Sequence, residues 1–143
     1  MTIERIIQHR DASDILTCDP AIPVREAVGL LAGKRIGALP IVDGGAVVGI
    51  FSERDVIYRL ASEGALCLDR PVSEVMTSPA ITVTRTDKID DALDLMTRRR
   101  IRHLPVVEGG GLIGFVSIGD LVKTRMDEVE RDAESMRSYI QTA

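Results

Sequence analysis

The chain has 143 residues, is 45% hydrophobic with no Trp, and carries a net charge of −4. That is enough for one compact unit, or two very small ones, with an aliphatic core, and the acidic balance argues against a general nucleic-acid binder, which draws its affinity from a basic surface. No run of about 18 apolar residues exists to span a membrane, and the opening MTIERIIQHRD lacks the continuous apolar stretch of a secretory signal.

A cytoplasmic protein is therefore expected. Cys18 and Cys67 agree with a reducing compartment; they lack close metal-ligand spacing and read as small apolar fillers, so no metal site is expected. Along the chain, Ile3, Ile6 and Ile7 open the sequence, and a connection at 9–14 leads to a short strand at 15–18. Pro23 suits a first helical position, and Val24, Ala27, Val28 and Leu31 follow at helical spacing. Strands at 39–42 and 47–51 flank an Asp-Gly-Gly turn, which reads as a tight hairpin, and a second helix starts at Ser52.

The same order then recurs. Val72, Val75 and Met76 precede a strand at 80–83, and Asp87 is a good N-cap for a helix carrying Ile89, Ala92, Leu93 and Met96. Strands at 104–107 and 112–116 flank Glu-Gly-Gly, and Ser117 begins the closing helix. Residues 27–60 and 92–125 align without a gap at an offset of 65, with 12 of 34 positions identical. Among these are the pairs Leu39 and Leu104, Pro40 and Pro105, Gly49 and Gly114, Ser52 and Ser117, and Asp55 and Asp120. Ile3, Ile6 and Ile7 match Val72, Val75 and Met76 only when the offset grows by four, so the first repeat carries the longer connection. The reading is an α/β fold of two β-α-β-β-α repeats, 1–66 and 67–126, each burying an otherwise exposed sheet face against the other. An extension follows at 127–143.

A long helix is predicted over 121–141. Val122, Met126, Val129, Ala133, Met136 and Ile140 form a heptad-like seam, and Asp127 and Arg131 an acid-first i,i+4 pair. The seam either packs back on its own repeats or forms a homodimer contact.

Chemistry concentrates in Gly-Ile-Phe-Ser-Glu-Arg-Asp (49–55) and its copy Gly-Phe-Val-Ser-Ile-Gly-Asp (114–120). In each, a strand ends at a serine and a helix begins. The unpaired N–H groups there suit a phosphate, and an acceptor-only aspartate suits ribose hydroxyls. The same spacing also fits a capping box with no ligand. Arg98, Arg99, Arg100, Arg102 and His103 read either as phosphate donors or as a solvated helix end. No P-loop, GxGxxG, GxSxG or His-rich metal set is present, and no catalytic residue is assigned.

With the threonine strands, Ile-x-x-Leu-Pro and Gly-h-h-Ser-x-x-Asp in this order and in two copies, the chain resembles the cystathionine-β-synthase (CBS) domain family up to about Met126. The resemblance implies a pseudo-two-fold pair with two clefts. It also implies an adenosine ligand (AMP, ADP, ATP, NAD or S-adenosylmethionine) and pairs that often dimerise. By position, Asp55 and Asp120 look like ribose binders and Ser52 and Ser117 like contacts at the helix start. Thr17 and Thr82 lie where family strands touch ligand. Gly37-Ala38 and Arg102-His103 occupy the segment that lies against the nucleotide. Arg54, opposite Gly119, and Arg102-His103, opposite Gly37-Ala38, predict inequivalent clefts, one of which stays empty. The expected function is a sensor read by a separate effector protein; the alternative is an interaction module with no ligand.

Overall fold

The computed structural model describes residues 1–142. Its centre is a pair of hairpins, β1 (Ala38–Asp43) with β2 (Ala46–Ser52) and β3 (His103–Glu108) with β4 (Gly111–Ser117). Each turn places two glycines at positive φ, Gly44 and Gly45 at 58° and 85° and Gly109 and Gly110 at 57° and 83°. Side-chain-bearing residues rarely adopt that conformation. The hairpins join as one four-stranded sheet in the order β1-β2-β4-β3, meeting only where Ala46 faces Gly111.

Around the sheet lie α1 (Glu4–Ile7), α2 (Val24–Lys34), α3 (Glu53–Glu63), α4 (Ile89–Arg99) and α5 (Ile118–Thr142). The leading strand expected in each repeat narrows to a single parallel bridge, Cys18 to Ile41 and Val83 to Val106. Pro23 sits one residue outside α2, at its N-cap with ψ 148°, rather than at the first helical position. Lys88, not Asp87, is the N-cap of α4. Asp87 instead accepts from the Thr84 backbone N–H at 2.8 Å, tightening the preceding turn. Both α2 and α4 end on an arginine in the left-handed conformation, Arg35 and Arg100, at φ 53° and 54°.

The core is two clusters, not two sheet faces closed on each other. One gathers Val24, Ala27, Leu39, Ile41 and Phe51 of the first repeat, and the other Ile89, Ala92, Met96, Leu104 and Val116 of the second. Each is completed by the lead-in peptide of the other repeat. Ile3 and Ile7 belong to the second-repeat cluster, and Val72 and Val75 to the first. Paired hydrogen bonds fix the exchange: Ile3 N–H to Asp87 carbonyl at 2.9 Å, and Val72 N–H to Ile22 carbonyl at 2.8 Å. Two matched glycines let the lead-ins cross the strands. A Cβ on Gly49 would meet Met76 Sδ at 2.6 Å, and one on Gly114 would meet Ile7 Cγ2 at 2.7 Å.

The seam of α5 does not pack back on the repeats. Met126, Val129, Met136 and Ile140 are 64%, 52%, 62% and 68% exposed. The expected Asp127–Arg131 pair is not among the ion pairs of the described residues. Arg125 instead bridges Asp90 at 3.2 Å and Glu128 at 3.3 Å. Among the described residues no helix is long and apolar enough to cross a membrane. Cys18 and Cys67 are buried and unpaired, and burial pushes the Cys18 thiol up to about 11.

Candidate functional site

Where β2 ends and α3 begins, Ser52 adopts extended backbone and caps the helix. Its hydroxyl accepts from the Asp55 N–H at 3.3 Å, and Asp55 Oδ2 accepts from the Ser52 N–H at 2.9 Å. The capping box expected from the spacing is therefore formed. It does not use up Asp55, because the second oxygen, Oδ1, faces away from the box and accepts from the Thr77 hydroxyl at 2.9 Å.

Those residues border a cleft of about 300 Å³ between the repeats. The first repeat contributes Gly37, Ala38, Ile50, Ser52, Glu53, Arg54 and Asp55. The second contributes Thr77, Ala80, Ile81, Arg99, Arg100, Ile101, Arg102 and His103. The apolar Ile50, Ala80, Ile81 and Ile101 offer surface for a flat ring system. Asp55 offers acceptors, and four guanidinium groups with the start of α3 offer positive charge for an anionic tail. Arg54 crosses the cleft to donate to the Arg100 carbonyl, joining the two repeats. Gly119 at the matching position of the second repeat makes no such link.

His103 lines this cleft, its ring stacked on Phe115 with centroids 5.5 Å apart and planes at 13°. Burial lowers its pKa below the ordinary imidazole value; Asp120 and Glu53 oppose that shift, and Arg102 adds to it. Gly37 stands against it, since a Cβ there would come within 3.4 Å of His103 Cε1 and 3.5 Å of Glu53 Oε1.

Seven of the expected residues thus meet in one place: Gly37, Ala38, Ser52, Arg54, Asp55, Arg102 and His103. The others do not join them. Thr17 and Thr82 do not line the cleft. Ser117 caps α5, accepting from the Asp120 N–H at 3.1 Å while Asp120 accepts from the Ser117 N–H at 2.8 Å. Asp120 borders a separate hollow between α1 and α5 and is paired with Arg10, Nη2 to Oδ1 at 2.8 Å. Burial would push the Asp120 carboxyl up, but its hydrogen bonds from Arg10 and the Ser117 N–H outweigh that and hold it below the usual carboxylate range.

Thr77 and Arg10 are not among the residues expected from the sequence. Thr77 closes the second lead-in, directly after Met76, where the offset between the repeats changes. Arg10 lies in the connection at 9–14, which is longer than its counterpart in the second repeat by four residues. No group of His, Cys, Asp or Glu able to hold a metal ion occurs among the described residues.

A model of the CBS domain matches the chain twice, over residues 7–62 and 72–127. The CBS domain-containing protein CBSX3, mitochondrial, of Arabidopsis thaliana is 37% identical over 131 residues, covering 88% of this chain and 64% of its own length. The chain thus spans slightly less than two thirds of that relative. A CBS-domain protein of Agrobacterium tumefaciens, ATU1752, has a TM-score of 0.81 at 36% identity, over 87% of this chain and 99% of the other. The CBS pair of protein MJ0100, solved with 5′-methylthioadenosine and S-adenosyl-L-methionine, has a TM-score of 0.76 at 25% identity, over 90% and 98%. CBSX2, solved with AMP, has a TM-score of 0.75 at 25% identity, over 88% and 96%.

Proposed function

The chain belongs to the CBS-domain family, and from that premise we propose that it is a non-catalytic sensor that binds an adenosine-containing ligand between its two repeats, 1–66 and 67–126. The observation that carries this reading is Asp55. It is fixed by Ser52 and Thr77 at the start of α3 and lines the same cleft as Arg99, Arg100 and Arg102. A fixed carboxylate suits a ribose diol, the isoleucines suit adenine, and the guanidinium groups suit a phosphate tail. Similar structures hold AMP, or 5′-methylthioadenosine with S-adenosylmethionine, which supports the adenosine part of the reading.

Bound ligand would touch both repeats at once, and so would favour one arrangement of the pair over others; only such differential affinity can shift a conformational equilibrium. A separate effector protein then reads that arrangement. The exposed α5 seam supports a homodimer, and the buried, unpaired cysteines support a reducing compartment such as the cytoplasm.

The test is thermal unfolding with AMP, ADP, ATP, NAD and S-adenosylmethionine, for the wild type and for Asp55→Ala. A ligand at about 100 times its dissociation constant adds roughly 2.7 kcal/mol to stability. A rise in Tm with at least one ligand, lost in Asp55→Ala, supports the sensor. No rise with any of the five, in protein free of bound nucleotide, turns the reading to an interaction module without a ligand.

A further inference from the structure

Resting on the nucleotide-binding reading above, we infer that the chain closes its own second cleft with Arg10, so that each chain takes one ligand, in the cleft of Asp55. The repeat sets up two matched places. At the first, Thr77 makes two bonds: its backbone N–H donates to the Ile50 carbonyl at 2.8 Å and its hydroxyl to Asp55 Oδ1 at 2.9 Å. At the second, the matched acceptors are the Phe115 carbonyl and Asp120. One guanidinium serves both. Arg10 donates from Nη2 to Asp120 Oδ1 at 2.8 Å, and from Nη1 to Asp120 Oδ2 at 3.2 Å and the Phe115 carbonyl at 3.4 Å.

The two arrangements differ in what they leave free. Asp55 accepts only from neutral donors, the Thr77 hydroxyl and the Ser52 N–H and hydroxyl, and these leave about one of its roughly four acceptor directions to a ribose. A guanidinium fork covers both oxygens, along the edge a diol would use.

Arg10 is held ready for this contact. Its N–H donates to the Ile7 carbonyl at 3.0 Å, ending the lead-in turn, and Asp11 then caps the next short turn through the Ser13 N–H at 2.9 Å. The residues that lengthen the first connection are thus the ones that deliver the latch.

The experiment is calorimetric titration of the wild type, Arg10→Ala and Arg10→Gln with AMP, ADP, ATP, NAD and S-adenosylmethionine. Arg10→Gln keeps a polar side chain, without the charge and the reach of the guanidinium, and guards against a disordered connection. One site per chain in the wild type and two in either variant is the expected result, with the wild-type site lost in Asp55→Ala and kept in Asp120→Ala. Two sites in the wild type, or one site in all three proteins, overturns the latch and leaves the nucleotide reading standing. A wild-type site lost in Asp120→Ala but kept in Asp55→Ala also overturns it. No binding of any ligand by any of the proteins overturns the nucleotide reading, and this inference with it.

Discussion

Thr77 and Asp55 lie 22 residues apart in the chain, and a 2.9 Å hydrogen bond joins the lead-in of one repeat to the first turn of α3 in the other. Asp55 therefore serves the helix cap, the contact between repeats and the cleft together. Asp55→Ala is expected to cost about 1–2 kcal/mol through the cap and to abolish the ligand-induced rise in Tm. Thr77→Val removes only the cross-repeat bond and is expected to cost about 1 kcal/mol, with the cap intact. Urea unfolding and thermal shifts on both variants separate the two roles; an Asp55→Ala protein that still responds to ligand would remove Asp55 from the site.

Gly49→Ala and Gly114→Ala are each expected to destabilise by about 1–3 kcal/mol, the usual range for overpacking. Gly49→Ala should be the worse of the two. Its Cβ would meet the Thr77 carbonyl at 2.9 Å as well as the Met76 side chain, whereas Gly114 faces the side chains of Ile7 and Val106. Gly29 in α2 is the control: nothing lies within 4 Å of its Cβ position, and Gly29→Ala should stabilise by about 0.5–1 kcal/mol. Chemical denaturation of the three variants tests the order.

The left-handed arginines predict matched gains in stability with different effects on ligand binding. Arg35→Gly relieves a backbone conformation disfavoured by about 1–2 kcal/mol in residues with a Cβ, and a gain in stability of about 1 kcal/mol is expected. Arg100→Gly should gain similarly in stability, but it also removes a guanidinium from the cleft. Its ligand affinity should fall while that of Arg35→Gly does not, as titration with a nucleotide would show.

His103 predicts a pH dependence. Burial, its largest influence, favours the neutral ring; Asp120 and Glu53 oppose this, and Arg102 adds to it. The folded pKa is below the unfolded one, so this contribution to stability is complete above about pH 6.5 and is lost as the pH falls from there through the folded value. His103→Phe keeps an aromatic ring against Phe115 and should flatten the stability profile just below neutrality. An unchanged slope in urea melts between about pH 7 and 5 would show that His103 is not the group responsible.

The α5 seam predicts that Met126→Glu and Ile140→Glu shift the protein from two chains to one in sedimentation, without lowering Tm by more than the loss of the pair requires. These side chains are 64% and 68% exposed in the single chain, so glutamate there disturbs no core. A wild type that sediments as one chain at high concentration would remove the dimer.

Much of the fold was legible because it is written twice. The apolar strands around Asp-Gly-Gly and Glu-Gly-Gly, and the Ser-x-x-Asp helix starts, are local patterns, and the structure keeps each of them. What was not legible depends on contacts between segments far apart in sequence. The exchange of lead-ins left only a change of offset between Ile3 and Val72, and the partner of Asp120 came from an unmatched stretch whose sequence carries no signal. The boundaries of α2 and α4 moved by a residue because Pro23 and Lys88 precede their helices without a side-chain cap. The capping and ligand readings of Ser52 and Asp55 competed on spacing alone, but three dimensions accommodate both, since a carboxylate has two oxygens to share.

The crossing of the lead-in peptides has a consequence for how the chain comes apart. With Ile3 and Ile7 in one core and Val72 and Val75 in the other, neither half holds all of its own hydrophobic interior. The halves should therefore melt as a single transition rather than in sequence, and a nick after residue 66 should yield two fragments that stay associated until both unfold. Each half is in effect the other's missing segment, so any signal that loosens one loosens both.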